Sequence, residues 1–107
     1  MKDSKKIVVI GAGFAGLAAA AKLAQAGHDV HLIEKNDQTG GRARIWEKDG
    51  FTFDMGPSWY WMPEVFDNFF KEFGKKTADF YELKRLSPSY RVYFGANDFI
   101  DVPADFQ

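Results

Sequence analysis

Apolar residues follow two regimes along the chain. Lys6-Ile-Val-Val-Ile10 is a continuous run of strand formers, the pattern of a strand buried on both faces, as in a parallel sheet. From Phe14 to Ala26 the only polar residues are Lys22 and Gln25, three apart and therefore on one face. That spacing predicts a helix whose remaining surface can be buried, with Gly27 where a C′ glycine ends it. Asp29 to Glu34 (D-V-H-L-I-E) predicts a second strand. Strand, helix and strand within about 30 residues make a βαβ unit. Beyond it, Ile45 to Asp54 reads as a hairpin turning at Asp49-Gly50, since both turn positions must tolerate φ > 0. Pro63 to Phe73 reads as a helix with Val65, Phe66, Phe69, Phe70 and Phe73 in one apolar stripe. Pro63 suits its first position and Gly74 its stop. Tyr81–Leu86, Tyr90–Phe94 and Phe99–Val102 read as short strands.

Composition divides the chain at the same place. Of 18 aromatic residues only Phe14 lies in the first 45, whereas nine of 12 alanines and six of 10 glycines do. Small residues let backbone approach backbone or ligand; aromatics fill wide gaps or line apolar cavities. Residues 1–45 therefore read as a nucleotide-binding βαβ unit and 46–107 as an aromatic-rich continuation, within an α/β fold class. With 14 Lys and Arg against 15 Asp and Glu, the net charge is −1. That balance disfavours nucleic acid, which needs clustered cations to release counterions from phosphates. The absence of cysteine excludes disulfides, thiolate metal sites and a cysteine nucleophile. Residues 7–21 have the length of a signal-peptide core but are broken by Gly11, Gly13 and Gly16, so Lys5-Lys6 reads as the lead-in to a strand and the expected location is cytoplasmic.

Gly11-Ala-Gly13-Phe-Ala-Gly16 is G-x-G-x-x-G directly after a predicted strand and at the start of a predicted helix, the context that gives this otherwise weak motif its meaning. Gly11 makes the tight turn, Gly13 lets a pyrophosphate lie against the backbone, and Gly16 allows close helix–strand packing. Free N–H groups of the first helical turn, with the helix dipole, attract the phosphates. Glu34, 18 residues after Gly16, can accept hydrogen bonds from both ribose hydroxyls of an adenosine and would repel a 2′-phosphate, which disfavours NADP. In Asp37-Gln-Thr-Gly-Gly-Arg42, the Gly40-Gly41 pair offers a second close approach of backbone to phosphate or ribityl oxygens, with the bidentate donor Arg42 beside it. A surface turn with a solvated arginine is the plain alternative.

Gly11–Gly16, Glu34 and Gly40-Gly41-Arg42 together resemble FAD-dependent oxidoreductases of the amine-oxidase and carotenoid-desaturase superfamily. The stretches Asp49–Phe66 and Leu83–Phe94 look like the bacterial phytoene desaturase branch, which introduces double bonds into carotenoid precursors. The resemblance runs from Lys5 to about Asp105 and implies a Rossmann-like fold, FAD as cofactor and a carotenoid-type polyene as substrate. It also implies cofactor contacts from Gly11, Ala12, Gly13, Phe14, Ala15, Gly16, Glu34, Lys35, Gly40, Gly41 and Arg42, and places the Gly56-Pro57 turn near the cofactor. Members of that branch are several times longer, so the chain is expected to be the N-terminal piece of such an enzyme, inactive alone. As full length it would be cytoplasmic and open to peripheral contact with a membrane.

Other residues invite other readings. His28 and His31 have no cysteine or carboxylate cluster with which to form a metal site and read as surface. Ser58 lacks the strand–elbow–helix context of a nucleophile. Trp59-Tyr60-Trp61-Met62 reads as core beneath the phenylalanine stripe, with a wall near flavin or substrate as the alternative. No acid or base for a chemical step stands out. An NAD-linked dehydrogenase fragment would share the first loop and Glu34 but has no use for Gly40-Gly41-Arg42. A non-catalytic dinucleotide-binding module is the third reading.

Overall fold

The computed structural model describes residues 3–56 and 59–105. Its contacts group the chain into two units, Met1–Pro63 and Glu64–Gln107.

In the first unit, β1 (Lys6–Ile10) and β2 (Asp29–Ile33) pair in parallel, from Lys6 opposite Asp29 to Ile10 opposite Ile33. Helix α1 (Phe14–Gln25) crosses between them and packs on both. The helix ends where Gly27 takes φ +90°. The Gly27 N–H then bonds the Ala24 carbonyl and the His28 N–H that of Leu23, a Schellman closure that satisfies the last carbonyls. Side chains alternate in a strand, and Val9 faces the helix: its Cγ1 would stand 3.7 Å from a β-carbon on Gly16. The opposite face is open, with Val8, Ile33 and above all Ile10 (85% exposed) in solvent. Burial on both faces, expected from the apolar run, is therefore realised on one face, because α1 is the only layer the described residues lay on this sheet. The hairpin follows as expected: β3 (Ile45–Lys48) and β4 (Phe51–Asp54) pair antiparallel around Asp49 (φ +52°) and Gly50 (φ +81°). Trp59, Trp61 and Met62 are more than half exposed; the core expected for Trp59–Met62 is not formed by these side chains.

In the second unit, α2 (Pro63–Glu72) closes on Gly74 by the same Schellman pattern. Phe70 stacks on Phe80 at 4.6 Å between ring centroids, and Phe69 lies 5.0 Å from Phe73. The Thr77 hydroxyl, buried, donates to the Asp67 carboxylate. The hairpin of β5 (Tyr90–Gly95) and β6 (Asp98–Val102) is locked by a two-pronged Arg91–Asp101 pair, whose guanidinium lies 4.0 Å over the Phe99 ring. The predicted strand Tyr81–Leu86 is not formed. Residues 81–86 are irregular, because Tyr81 is held instead by its N–H to the Thr77 carbonyl and by an edge contact with Phe70. A strand needs a partner edge, and propensity does not supply one. No helix among the described residues is long and apolar enough to cross a membrane.

Candidate functional site

The site is built where β1 and β2 end. Gly11 leaves β1 at φ +97°, and its N–H bonds the Ile33 carbonyl at 2.7 Å, closing the ends of the two strands. The chain reverses through Ala12 and Gly13 into α1, whose first turn opens with the Leu17 N–H on the Gly13 carbonyl at 2.9 Å. Gly13 is the N-cap and contributes no side-chain acceptor, and the first turn holds no acidic residue. That helix terminus is left suited to an anion.

The glycines of the site are small for different reasons. A β-carbon on Gly16 would lie 1.8 Å from the Gly11 carbonyl oxygen, so helix and strand meet there through backbone alone. Gly13 has φ −78°, open to any residue, and a β-carbon there would meet nothing nearer than the Gly41 Cα at 4.0 Å. The packing of the chain gives no reason for the missing side chain of Gly13.

Glu34 follows β2 directly, one residue beyond the strand that was expected to include it. Its Oε2 accepts the Ala12 N–H at 2.7 Å; its Oε1 accepts the Asn36 N–H at 3.0 Å and the Asn36 side-chain amide at 2.7 Å. These donors, the Ala12 N–H first, hold the carboxyl below its ordinary range by favouring the charged form. Ala12 is fully buried, and its carbonyl accepts the Gly40 N–H at 2.8 Å. One residue, Ala12, thus joins Glu34, the first glycine loop and the second. Gly41, at φ +60°, would bring a β-carbon within 3.1 Å of the Gly13 Cα, so the two glycine loops touch through backbone.

Gly40 is left-handed at φ +104° and caps the 3-10 turn Gly41–Ala43, which carries Arg42 on an exposed surface. Gly56 packs beneath this turn, where a β-carbon would lie 1.9 Å from the Arg42 carbonyl oxygen. Gln38 accepts the Ile45 N–H at 3.0 Å and ties the loop to the hairpin. Phe14, Ala15 and Lys35 are exposed around the loop. The structure therefore brings together Gly11–Gly16, Glu34, Gly40, Gly41, Arg42 and Gly56; Pro57 and Ser58 lie outside the described residues. Sequence reasoning missed Asn36. No motif or spacing in the sequence signals it, because its amide bonds a side chain and not the backbone of a recognisable turn.

Residues 9–73 match the NAD(P)-binding Rossmann-like domain family. Among curated proteins, the chain is 58% identical over 103 residues to a carotenoid 3,4-desaturase of Haloarcula japonica, covering 96% of this chain and 21% of that protein. It is 52% identical over 100 residues to a 4,4′-diapophytoene desaturase (4,4′-diaponeurosporene-forming) of Staphylococcus aureus, covering 94% and 20%. Among solved structures, a CLA-producing fatty acid isomerase from P. acnes superposes with a TM-score of 0.52 at 35% identity, over 71% of this chain and 18% of that one. The chain spans about a fifth of the length of the curated relatives it matches.

Proposed function

The chain belongs to the NAD(P)-binding Rossmann-like domain family, and from that premise we propose that it is the dinucleotide-holding portion of an FAD-dependent oxidoreductase that desaturates a carotenoid-type polyene. The observation that carries the dinucleotide is Gly13. Its backbone angle and surroundings would accept alanine, so its smallness serves something outside the chain, and a pyrophosphate against the loop is that something. Gly11 turns the chain, the first turn of α1 presents N–H groups to the phosphates, and Glu34 accepts the adenosine ribose hydroxyls.

FAD is preferred to NAD because the second glycine loop is fastened to the first, through Gly40 N–H to Ala12 C=O and the Gly13–Gly41 approach. Such a fused surface offers backbone donors and Arg42 to a second phosphate or ribityl oxygen. A nicotinamide dinucleotide brings the same pyrophosphate but no ribityl chain, and it is the ribityl oxygens that give the second loop a task of its own. Similarity to two named carotenoid desaturases supports the substrate class. When bound, FAD supplies a two-electron acceptor able to take a hydride from a saturated carbon of the polyene. The residues of this chain hold the cofactor rather than move the substrate's protons, and neither histidine lies among the site residues. A substrate of this class resides in lipid, so the full-length protein works from the cytoplasmic side against a membrane surface.

The test is to purify the full-length protein and record its visible spectrum. Flavin bands and conversion of a phytoene-type polyene to a product two hydrogens lighter are expected; a colourless protein carrying nicotinamide overturns the assignment. The likeness to a fatty acid isomerase favours one second reading, isomerisation of an unsaturated chain. A product of unchanged mass would select it.

A further inference from the structure

Glu34 is already loaded. A carboxylate offers about four acceptor positions; three are taken by donors within 3.0 Å, two of them on Oε1 by Asn36, and the Lys35 N–H also acts on it. Of the three donors, the Ala12 and Asn36 N–H groups belong to the backbone, one beside a fully buried residue. The third, the Asn36 side-chain amide at 2.7 Å, is exposed and hangs on rotatable bonds. It also borders an open cleft of about 620 Å³ lined by Asp37, Gln38 and Arg44, so it has room to leave.

A ribose diol brings two neighbouring O–H donors. With Oε1 filled, Glu34 can take at most one hydroxyl, on Oε2, and has no place for the second. We propose that the Asn36 side-chain amide occupies the seat of one ribose hydroxyl on Glu34 and is exchanged for it when the dinucleotide binds. This rests on the reading above that Glu34 receives the adenosine ribose. Asn36 is then a specificity-determining residue in two senses. It holds the carboxylate oriented between ligands, and it sets a threshold that only a donor pair able to replace the amide can pass. A ligand without ribose hydroxyls gains nothing by the exchange.

The experiment is calorimetric titration of the flavin-stripped, full-length protein with ADP and with 2′,3′-dideoxy-ADP, in the wild type, Asn36→Ala and Glu34→Ala. The wild type should prefer ADP. Asn36→Ala removes the competing donor and should tighten ADP by about two- to tenfold, the range of one net hydrogen bond, while leaving dideoxy-ADP unchanged. Glu34→Ala should erase the preference for ADP. Asn36→Ala that leaves ADP affinity unchanged or weakens it, in a protein that still discriminates the two nucleotides, overturns the exchange and spares the Glu34–ribose contact. Equal binding of both nucleotides by the wild type overturns the contact itself and the exchange with it.

Discussion

Replacing Gly16 by alanine tests whether the site depends on backbone-to-backbone packing between α1 and β1. The added β-carbon would stand 1.8 Å from the Gly11 carbonyl oxygen and 3.0 Å from its carbon. Reaching ordinary contact, 3.4 Å or more, requires a separation of about 1.6 Å. Neither partner can rotate away, because both are backbone, and the peptide that carries the Gly11 carbonyl is anchored by the Ala12 N–H to the Glu34 carboxylate. Overpacking costs about 1–3 kcal/mol where side chains can adjust, and a rigid backbone puts this case at the upper end, ~3 kcal/mol. Against it stands the better helix propensity of alanine, about 1 kcal/mol. The net loss is about 2 kcal/mol, roughly a 30-fold fall in the folding equilibrium constant.

Gly13→Ala is the matched control. Its β-carbon meets only the Gly41 Cα at 4.0 Å and its φ of −78° is unstrained, so its stability should fall by no more than about 1 kcal/mol, the preference for glycine over alanine at an N-cap. Dinucleotide retention should fall in Gly13→Ala through occupied phosphate space, while in Gly16→Ala the unfolding midpoint falls and cofactor is lost only as the protein unfolds. Urea unfolding followed by circular dichroism, with bound flavin measured on the same samples, separates the two. A Gly16→Ala protein with the wild-type midpoint refutes the packing argument; a Gly13→Ala protein with full flavin content refutes the phosphate argument.

Gly56→Ala should detach the hairpin from the Arg42 turn, since its β-carbon would lie 1.9 Å from the Arg42 carbonyl oxygen; amide exchange at residues 40–45 should rise, and unchanged protection would count against it. The Glu34 carboxyl titrates below its ordinary value of 4.5 when folded, so its contribution to loop stability and nucleotide affinity is complete above that value and lost as pH falls through the lower, folded one; Glu34→Gln should remove this acid-side dependence, and an identical pH profile would contradict it. Thr77→Val removes a buried hydroxyl donor from Asp67 and should destabilise the second unit by about 1–2 kcal/mol, read from its unfolding midpoint. The 107-residue chain by itself exposes Val8, Ile10 and Ile33 on one sheet face and should self-associate and bind FAD poorly; a clean monomer across a concentration series in sedimentation, with micromolar FAD affinity, would contradict both parts.

The local parts of this fold are legible in the sequence because local interactions decide them. A run of β-branched residues, a helix with one polar face, Gly27 and Gly74 as stops, and Asp49-Gly50 as a turn each specify their geometry within a few residues, and each is found. Tyr81–Leu86 fails for the opposite reason: its composition suits a strand, but the outcome depends on a partner edge, and Phe70 and Thr77 claim Tyr81 first. The candidate site divides along the same line. Spacing alone singles out Glu34, yet not its bond to Ala12, 22 residues away, nor the hold of Asn36 on its other oxygen.

Glycine shows the limit most sharply, since the letter is the same whether the residue serves a backbone angle, a close approach or a ligand. The structure separates these uses. Gly40 and Gly41 need their left-handed angles, while Gly16 and Gly56 sit where another carbonyl leaves no room. Gly13 needs neither. In a loop where every neighbouring glycine answers to a backbone angle or to the chain's own packing, the one that answers to neither marks the place from which the ligand is read.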